Sequence, residues 1–284
     1  MLDKYITILC AQKRPWRFLI SRVLMRTKLC TFFTINRGRF LLNFYPSALS
    51  AQYWIDGPIA DDDENFVFSY VKYGDCVVDV GANIGVISLS SSIAAGTAGN
   101  ITAIEAHPRV YKYLCGNIKL NNCRNIVAIN AAVGNSVGSL KISDSRADNE
   151  NFVNSHSGVE INIKTLDSLF APTDKRIALL KIDVEGYEKY VLQGAENTLS
   201  ITDCIYIEFS EKNCGKYGYS CSEVAHLIKA KGFLLFRKTD TVLEQIADTC
   251  AFEGCQNLIA LRNTAEFTKR TGWKIKILGK QKDV

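Results

Sequence analysis

The chain has 284 residues, of which 47% are hydrophobic and 22% are charged. This composition excludes an intrinsically disordered chain and suffices for one large core, or for a core with a small appendage. The sequence contains no internal repeat and no biased tract, which excludes solenoids and low-complexity arrays.

The formal net charge of +5 is concentrated at the two ends of the chain. Residues 1–40 contain nine Lys or Arg and a single acid, Asp3, and six further Lys or Arg lie in residues 269–282. Such basic termini are typical of solvated helix faces, but they also suit a membrane surface, a nucleic acid or an acidic partner.

The ten cysteines form no C-x-x-C pair and have no histidine at the spacing of a zinc site. Several of them lie within apolar, strand-like runs, where a thiol behaves as a small hydrophobic group. We therefore expect reduced thiols, no zinc, and a cytoplasmic protein.

The first apolar stretches, residues 5–10 and 18–25, are shorter than the roughly 18 residues that a membrane span needs, and Arg22 interrupts the second. The sequence predicts neither a membrane span nor a secretory signal. A basic helix over residues 13–30 remains open to two interpretations, a solvated helix or an amphipathic helix that gives peripheral contact with a membrane.

The pattern along the chain predicts three regions. Residues 1–58 are a basic N-terminal cap or lead-in segment, with a helix followed by a short strand at residues 39–44. Residues 59–265 form the main domain, which opens with a helix over residues 64–72. Residues 266–284 are a basic C-terminal tail.

Strands and helices alternate from residue 76 onwards. The predicted strands are residues 76–80, 101–105, 126–131, 140–143, 159–164, 177–184, 204–209, 233–237 and 257–262, and the predicted helices are residues 84–95, 108–121, 188–199 and 222–231. Such alternation predicts an α/β fold with a doubly wound, mostly parallel sheet. The last two strands have no room for a long helix between them, which predicts an antiparallel edge.

The first strand of this sheet ends in a glycine-rich loop, DVGANIG, at residues 79–85. In open α/β sheets ligands bind beyond the carboxyl ends of the strands, where glycines permit a tight turn and a helix N-terminus follows. We expect Asp79, Gly81, Asn83 and Gly85 to bind a cofactor. The loop alone also fits an ordinary strand-to-helix turn.

Glu105 closes the second strand, 20 residues after Gly85. A carboxylate at this place can accept both hydroxyls of a ribose, although a helix cap or a salt bridge would also explain it. Ala132, directly after the third strand, completes the predicted cofactor site. A nicotinamide-dependent oxidoreductase is the alternative, but Asn83 stands where the dinucleotide fingerprint requires its second glycine.

Four segments carry a resemblance to a known family: VVDVGANIG at residues 77–85, AIEAHP at 103–108, TLD at 165–167 and LKIDVEGYE at 180–188. In this order they resemble the FkbM family of methyltransferases. The resemblance implies a class I methyltransferase fold, S-adenosylmethionine as cofactor, and hydroxyls of sugars or polyketides as acceptors. The chain has Ala-His-Pro at residues 106–108, where Pro-Asn-Pro is more common in the family.

The predicted function is therefore O-methylation by an S-adenosylmethionine-dependent methyltransferase, with a sugar, glycan or glycolipid precursor as acceptor. Transfer needs a held geometry and a group that takes the proton of the alcohol. Asp183, Glu185, His156 and Lys181 are the candidate catalytic residues. His156 lies in the irregular segment before the fourth strand of the alternating series, where an ordinary exposed loop histidine is expected more often than a general base.

Asp183, Glu185 and Glu208 can meet at one rim of the sheet and bind Mg²⁺ through oxygen ligands. The first two could instead cap the helix that follows them. Tyr187 at the same rim could stack on a sugar or adenine ring. No nucleic-acid partner is expected, although a basic non-enzymatic module that binds nucleic acid or membrane is a further alternative.

Overall fold

The computed structural model describes residues 14–142, 158–170, 175–247, 252 and 254–278. Within these residues, nine strands form a central sheet in the order β14-β12-β11-β13-β10-β9-β3-β4-β5. A hairpin of β1 and β2 and a three-stranded sheet of order β6-β8-β7 accompany it. This α/β architecture with a large central sheet confirms the predicted fold class.

The strands are β1 Thr34–Asn36, β2 Leu41–Asn43, β3 Cys76–Val80, β4 Asn100–Glu105, β5 Ile126–Asn130, β6 Ala132–Val133, β7 Gly138–Ile142, β8 Val159–Lys164, β9 Ile177–Ile182, β10 Thr202–Ser210, β11 Leu234–Thr239, β12 Val242–Gln245, β13 Cys255–Leu261 and β14 Lys274–Lys276. The helices are α1 Pro15–Thr27, α2 Ala48–Asp56, α3 Asp62–Tyr70, α4 Val86–Ala95, α5 Pro108–Leu120, α6 Leu166–Phe170, α7 Glu188–Gln193, α8 Glu196–Ser200, α9 Glu211–Gly215, α10 Cys221–Ala230 and α11 Thr264–Thr271. A short 3₁₀ turn spans Leu29–Phe32.

The parallel half of the sheet follows from its apolar strands. Strands β5, β4, β3, β9 and β10 run parallel to one another. Every residue of β9 is buried, as expected for a strand with helices packed on both faces. Strand β3 pairs with β4 on one side and with β9 on the other, so the order of the sheet reverses at β3.

The other half of the sheet is more extensive than predicted. Strand β13 lies antiparallel between β10 and β11, which confirms the antiparallel edge. Strands β12 and β14, which sequence patterns did not predict, extend the sheet beyond β11.

Part of the predicted basic tail belongs to this sheet. Residues 264–276 form α11 and β14, with Phe267 and Trp273 buried in the core. Arg270 pairs with Asp75 through two hydrogen bonds. The positive side chains of this segment belong to α11 and β14, in the same short stretch that carries these buried apolar side chains. The prediction of a tail, which rested on charge alone, is therefore wrong for residues 266–276.

The predicted helix over residues 188–199 is in fact two helices, α7 and α8, separated at Gly194. A Cβ atom at Gly194 would lie 2.0 Å from the carbonyl oxygen of Gly134. The backbone of the loop after β6 therefore approaches the chain at Gly194 too closely for any side chain, and the helical path breaks there.

The N-terminal segment packs against the main domain. The hairpin β1–β2 is bound to α5, because Asn117 accepts the backbone N–H of Asn43 at 2.8 Å and Asn121 accepts that of Leu41 at 2.9 Å. The predicted strand at residues 39–44 is the second strand of this hairpin. No helix in the part of the chain described is both long and apolar enough to cross a membrane.

We expect Gly194→Ala to destabilise the protein by about 1–3 kcal/mol, because the added methyl group collides with backbone rather than with a flexible side chain. Gly215→Ala is the matched control, since nothing lies within 4 Å of its Cβ position. Urea denaturation of both variants gives the two changes in unfolding free energy. Equal stability of the two variants would contradict the close approach at Gly194.

Candidate active site

A cavity of about 250 Å³ opens at the carboxyl ends of β3, β4 and β9, where the strand order reverses. Seven of the predicted site residues line it: Gly81, Asn83, Glu105, Ala132, Lys181, Asp183 and Glu185. Asp79, Gly85 and Glu208 do not line it. His156 lies outside the described residues.

Gly81 is the tightest point of the site. Its φ of +78° lies in the left-handed region, and a Cβ atom there would lie 1.8 Å from the carbonyl oxygen of Asp183. The ends of β3 and β9 therefore approach each other at a place where only glycine fits. Gly85 has a φ of +95° and donates its N–H to Ala82, which closes the turn into α4.

Asn83 and Glu105 form the polar wall of the cavity. The backbone N–H of Asn83 donates to Glu105 Oε2 at 2.9 Å, and the N–H of His107 donates to Oε1 at 2.8 Å. Asn83 Oδ1 is buried and has no hydrogen-bond partner among the residues that the structure describes. An acceptor in this position fits a ligand that brings its own donor groups.

Burial raises the pKa of Glu105 to about 7, even though both backbone N–H groups favour its charged form. Each carboxylate oxygen already accepts one protein donor and retains capacity for a further one. The site is therefore suited to a ligand that presents two neighbouring hydroxyl groups to this carboxylate.

Asp79 does not line the cavity, although it was predicted to contact the cofactor. Its side chain is fully buried and accepts the Ser88 hydroxyl at 2.6 Å. Lys181 Nζ lies 3.6 Å from its other oxygen, Oδ1. Burial raises the pKa of Asp79, while Lys181 opposes this shift. Asp79 thus connects β3 to α4 and to β9.

Lys181 is buried at the junction of these two strands. Its ammonium lies 3.2 Å from Asp183 Oδ2 and donates to the carbonyl oxygen of Gly81 at 3.1 Å. Burial alone would lower the pKa of Lys181, but the carboxylates of Asp183 and Asp79 outweigh burial and raise it. Lys181 therefore stays charged and cannot serve as a proton acceptor.

Glu185 lines the cavity on the loop after β9, with an unusual φ of +56°. Its Oε2 accepts the side-chain N–H of Asn213 at 2.9 Å. Burial, together with repulsion from Glu208 and Asp183, raises the pKa of Glu185 to about 7. Such a carboxylate can exchange a proton near neutral pH.

The predicted magnesium site gains no support from the structure. Glu208 does not line the cavity and accepts the Cys255 thiol at 3.0 Å, and Asp183 is paired with Lys181. In the described ranges, no group of three or more His, Cys, Asp or Glu side chains is arranged to hold a metal ion. We therefore do not propose a metal here.

The loop after β9 is capped by a residue that sequence reasoning missed. Glu188 Oε1 accepts the backbone N–H groups of Val184 and Gly186 at 3.1 and 3.2 Å. Burial raises the pKa of Glu188 to about 8. This capping role was suggested for Asp183 and Glu185, whose carboxylates instead face the cavity.

Asp63 is a second cavity residue that the sequence did not reveal. It lies in the first turn of α3, whose N-cap is Asp61. Asp63 Oδ1 accepts the Tyr206 hydroxyl at 2.5 Å and the Asn257 amide at 3.1 Å. These contacts join residues 143 and 194 positions apart, so no local pattern could have indicated them.

His107 and Tyr187 also line the cavity. His107 caps α5, because its Nδ1 accepts the backbone N–H of Arg109 at 3.2 Å. The ring of Tyr187 packs on Tyr190, with 4.5 Å between centroids. Tyr53 from α2 adds a further aromatic wall.

The buried ion pair generates a stability prediction. Lys181→Met leaves the Asp79 carboxylate buried without a counter-charge, so we expect a loss of about 3–5 kcal/mol of unfolding free energy. The double variant Asp79→Asn, Lys181→Met removes both charges and should regain most of that loss. Urea denaturation measures both, and a double variant no more stable than Lys181→Met would refute the pairing.

The sequence model of the methyltransferase FkbM domain matches residues 79–235, which is more than half of the chain. No functionally curated protein matches the chain in sequence.

Similar solved structures include a SAM-dependent methyltransferase from Aquifex aeolicus, at 13% identity, covering 71% of this chain and 90% of that chain, with a TM-score of 0.42. The precorrin-6y C5,15-methyltransferase from Geobacter metallireducens GS-15 is 10% identical and covers 70% of this chain and 87% of that chain, with a TM-score of 0.41. A SAM-dependent O-methyltransferase from Thermotoga maritima is 12% identical and covers 72% of this chain and 66% of that chain, with a TM-score of 0.42. The family match decides against the oxidoreductase alternative: the chain belongs to the FkbM methyltransferase family and is an S-adenosylmethionine-dependent methyltransferase.

Proposed function

We propose that the protein transfers the methyl group of S-adenosylmethionine to a hydroxyl of a sugar, a glycan or a glycolipid precursor. The observation that carries this proposal is Glu185, a cavity carboxylate whose pKa is raised to about 7. An alcohol keeps its proton at neutral pH, so its methylation requires a proton acceptor of this kind.

The cofactor half of the cavity consists of Gly81, Asn83, Glu105 and Ala132. Bound S-adenosylmethionine supplies an electrophilic methyl group on a sulfonium. Glu105 would accept the ribose hydroxyls, and Asn83 Oδ1 would accept a further donor of the cofactor. The bare backbone at Gly81 lets the ligand approach the strand end.

The acceptor half contains Asp63, Asp183, Glu185 and the rings of Tyr53 and Tyr187. Tyrosine rings suit a sugar, because they offer an apolar face and a polar edge. Glu185 would take the proton of the reacting hydroxyl while Asn213 holds its carboxylate in place. Lys181 positions Asp183 through their 3.2 Å ion pair and takes no proton itself.

The raised pKa of Glu105 makes cofactor binding depend on pH. Ribose hydroxyls donate to the ionised carboxylate, so binding must expel a proton below the pKa of about 7 in the free protein. We expect the affinity for S-adenosylmethionine to fall about tenfold from pH 8 to pH 6, with proton release on binding. Isothermal titration calorimetry in buffers of different ionisation enthalpy measures both quantities.

Glu105→Gln is the control, because it keeps the acceptor oxygen but removes the titration. It should bind more weakly at pH 8 and show only the pH dependence of the ligand itself. If the cofactor affinity of the wild type changed with pH in the same way as that of Glu105→Gln, the role assigned to Glu105 would be overturned. Absence of any binding would overturn the cofactor site as a whole.

The acceptor class can be tested with methyl-labelled S-adenosylmethionine and a panel of free sugars, glycans and glycolipids. For an acceptor that is labelled, Glu185→Gln should lower kcat by about 10²–10⁴-fold and change KM little. The rise of kcat near pH 7 should disappear, because the titrating group is gone. Cofactor binding by the variant, measured by calorimetry, should be retained.

Glu196→Gln is the matched control for this experiment, since Glu196 is an exposed surface residue paired with Lys231. It should leave kcat and its pH profile unchanged. Label found on nitrogen rather than oxygen, or an unchanged kcat in Glu185→Gln, would contradict the proposed reaction.

A further inference from the structure

Exposed apolar side chains are concentrated near the amino end of the described chain. Fifteen large hydrophobic side chains are exposed in the described residues. Seven of them lie within residues 16–33: Trp16, Leu19, Ile20, Val23, Leu29, Phe32 and Phe33. Helix α1 and the 3₁₀ turn after it therefore present apolar side chains that the described part of the chain leaves exposed.

Helix α1 has two apolar faces. Leu24 and Met25 pack against the core cluster formed with α2 and the hairpin, and Ser21 on the same side is fully buried. The opposite face carries an outer stripe of four residues at helical spacing i, i+3, i+4 and i+7. These residues, with their exposed fractions, are Trp16 at 76%, Leu19 at 41%, Ile20 at 48% and Val23 at 61%.

Positive charge surrounds this outer stripe. Arg22 and Arg26 are exposed on α1, and the sequence has no Asp or Glu between Asp3 and Asp56. The helix is firmly attached to the domain, because Arg14 and Arg17 donate to the carbonyl oxygens of Ile55 and Trp54 at the end of α2. The stripe is therefore presented in a fixed orientation.

We propose that α1 docks on the surface of an anionic lipid bilayer, with the outer stripe in the interface and the arginines at the headgroups. An amphipathic helix with a tryptophan, aliphatic residues and flanking arginines has the chemistry of interfacial membrane binding. A nucleic acid would require the basic side chains but would leave the apolar stripe uncovered. With 13 residues, α1 lies on the bilayer rather than spanning it.

This docking would bring the cavity close to the bilayer. Helix α1 packs on α2, and α2 supplies Leu49 and Tyr53 to the cavity wall. An α-helix has a diameter of about 10–12 Å, so α1, packed on α2, lies about one helix away from this part of the cavity wall. The arrangement favours an acceptor with a lipid anchor, a consequence that rests on the proposed function.

Flotation of the full-length protein with vesicles tests the docking directly. The protein should float with vesicles of phosphatidylcholine and phosphatidylglycerol, but not with phosphatidylcholine alone, and salt should weaken the binding. Val23→Glu should weaken binding about tenfold, because it removes one aliphatic anchor and adds a repelled charge. Arg22→Gln combined with Arg26→Gln should weaken it as well.

Val127→Glu is the matched control, since Val127 is exposed to 63% on β5, compared with 61% for Val23, and the two changes are chemically identical. It should float like the wild type. Calorimetric binding of S-adenosylmethionine by Val23→Glu shows that this variant is folded, and circular dichroism replaces that check if the wild type itself binds no cofactor. The test of membrane docking therefore does not depend on whether the proposed function is correct.

Three results would overturn the proposal. The wild type could fail to float with anionic vesicles, or the two valine variants could float equally well. Light scattering could instead show a dimer that Val23→Glu dissociates, in which case a second copy of the chain covers the outer stripe.

Trp16 offers an independent readout, because its fluorescence should shift to the blue on vesicle binding and the shift should be lost in Trp16→Phe.

Discussion

The buried ammonium group of Lys181, held between the carboxylates of Asp79 and Asp183, connects the two central strands at their carboxyl ends. A charge in this position cannot be left without partners, since burial of an unpaired ion costs several kcal/mol. The contact fixes the ends of β3 and β9 so closely that position 81 must be glycine. The glycine-rich loop at residues 79–85 and the loop after β9, which carries Asp183 and Glu185, both begin at this junction and contribute to the cavity wall.

Two carboxylates that line the cavity have raised pKa values, but their surroundings differ. Glu105 is shifted mainly by burial and is held by two backbone N–H groups, which suits it to bind hydroxyls permanently present in a ligand. Glu185 is shifted by burial and by neighbouring acids, which suits it to exchange a proton. Burial thus raises the pKa of both carboxylates, while α2 contributes Leu49 and Tyr53 to the cavity wall.

The sequence predicted the features that depend on local patterns. Apolar runs identified strands such as β3 and β9, and the strand ends identified most of the predicted residues that line the cavity. Contacts between residues far apart in the sequence could not be predicted from such patterns. The break at Gly194 depends on the approach of Gly134, and the place of Asp63 depends on Tyr206 and Asn257. Asp79 was expected to touch the ligand because of its position in the loop, but strand alternation directs it toward Ser88 and Lys181.

We propose that the junction at Lys181 shapes a cofactor site in which Glu105 and Asn83 contact the nucleoside. A crystal structure of the protein with S-adenosylhomocysteine is the most direct test. We expect the ribose hydroxyls to lie within hydrogen-bond distance of the Glu105 carboxylate, with the sulfur near the backbone at Gly81. A ligand bound elsewhere, or a ribose directed away from Glu105, would contradict it.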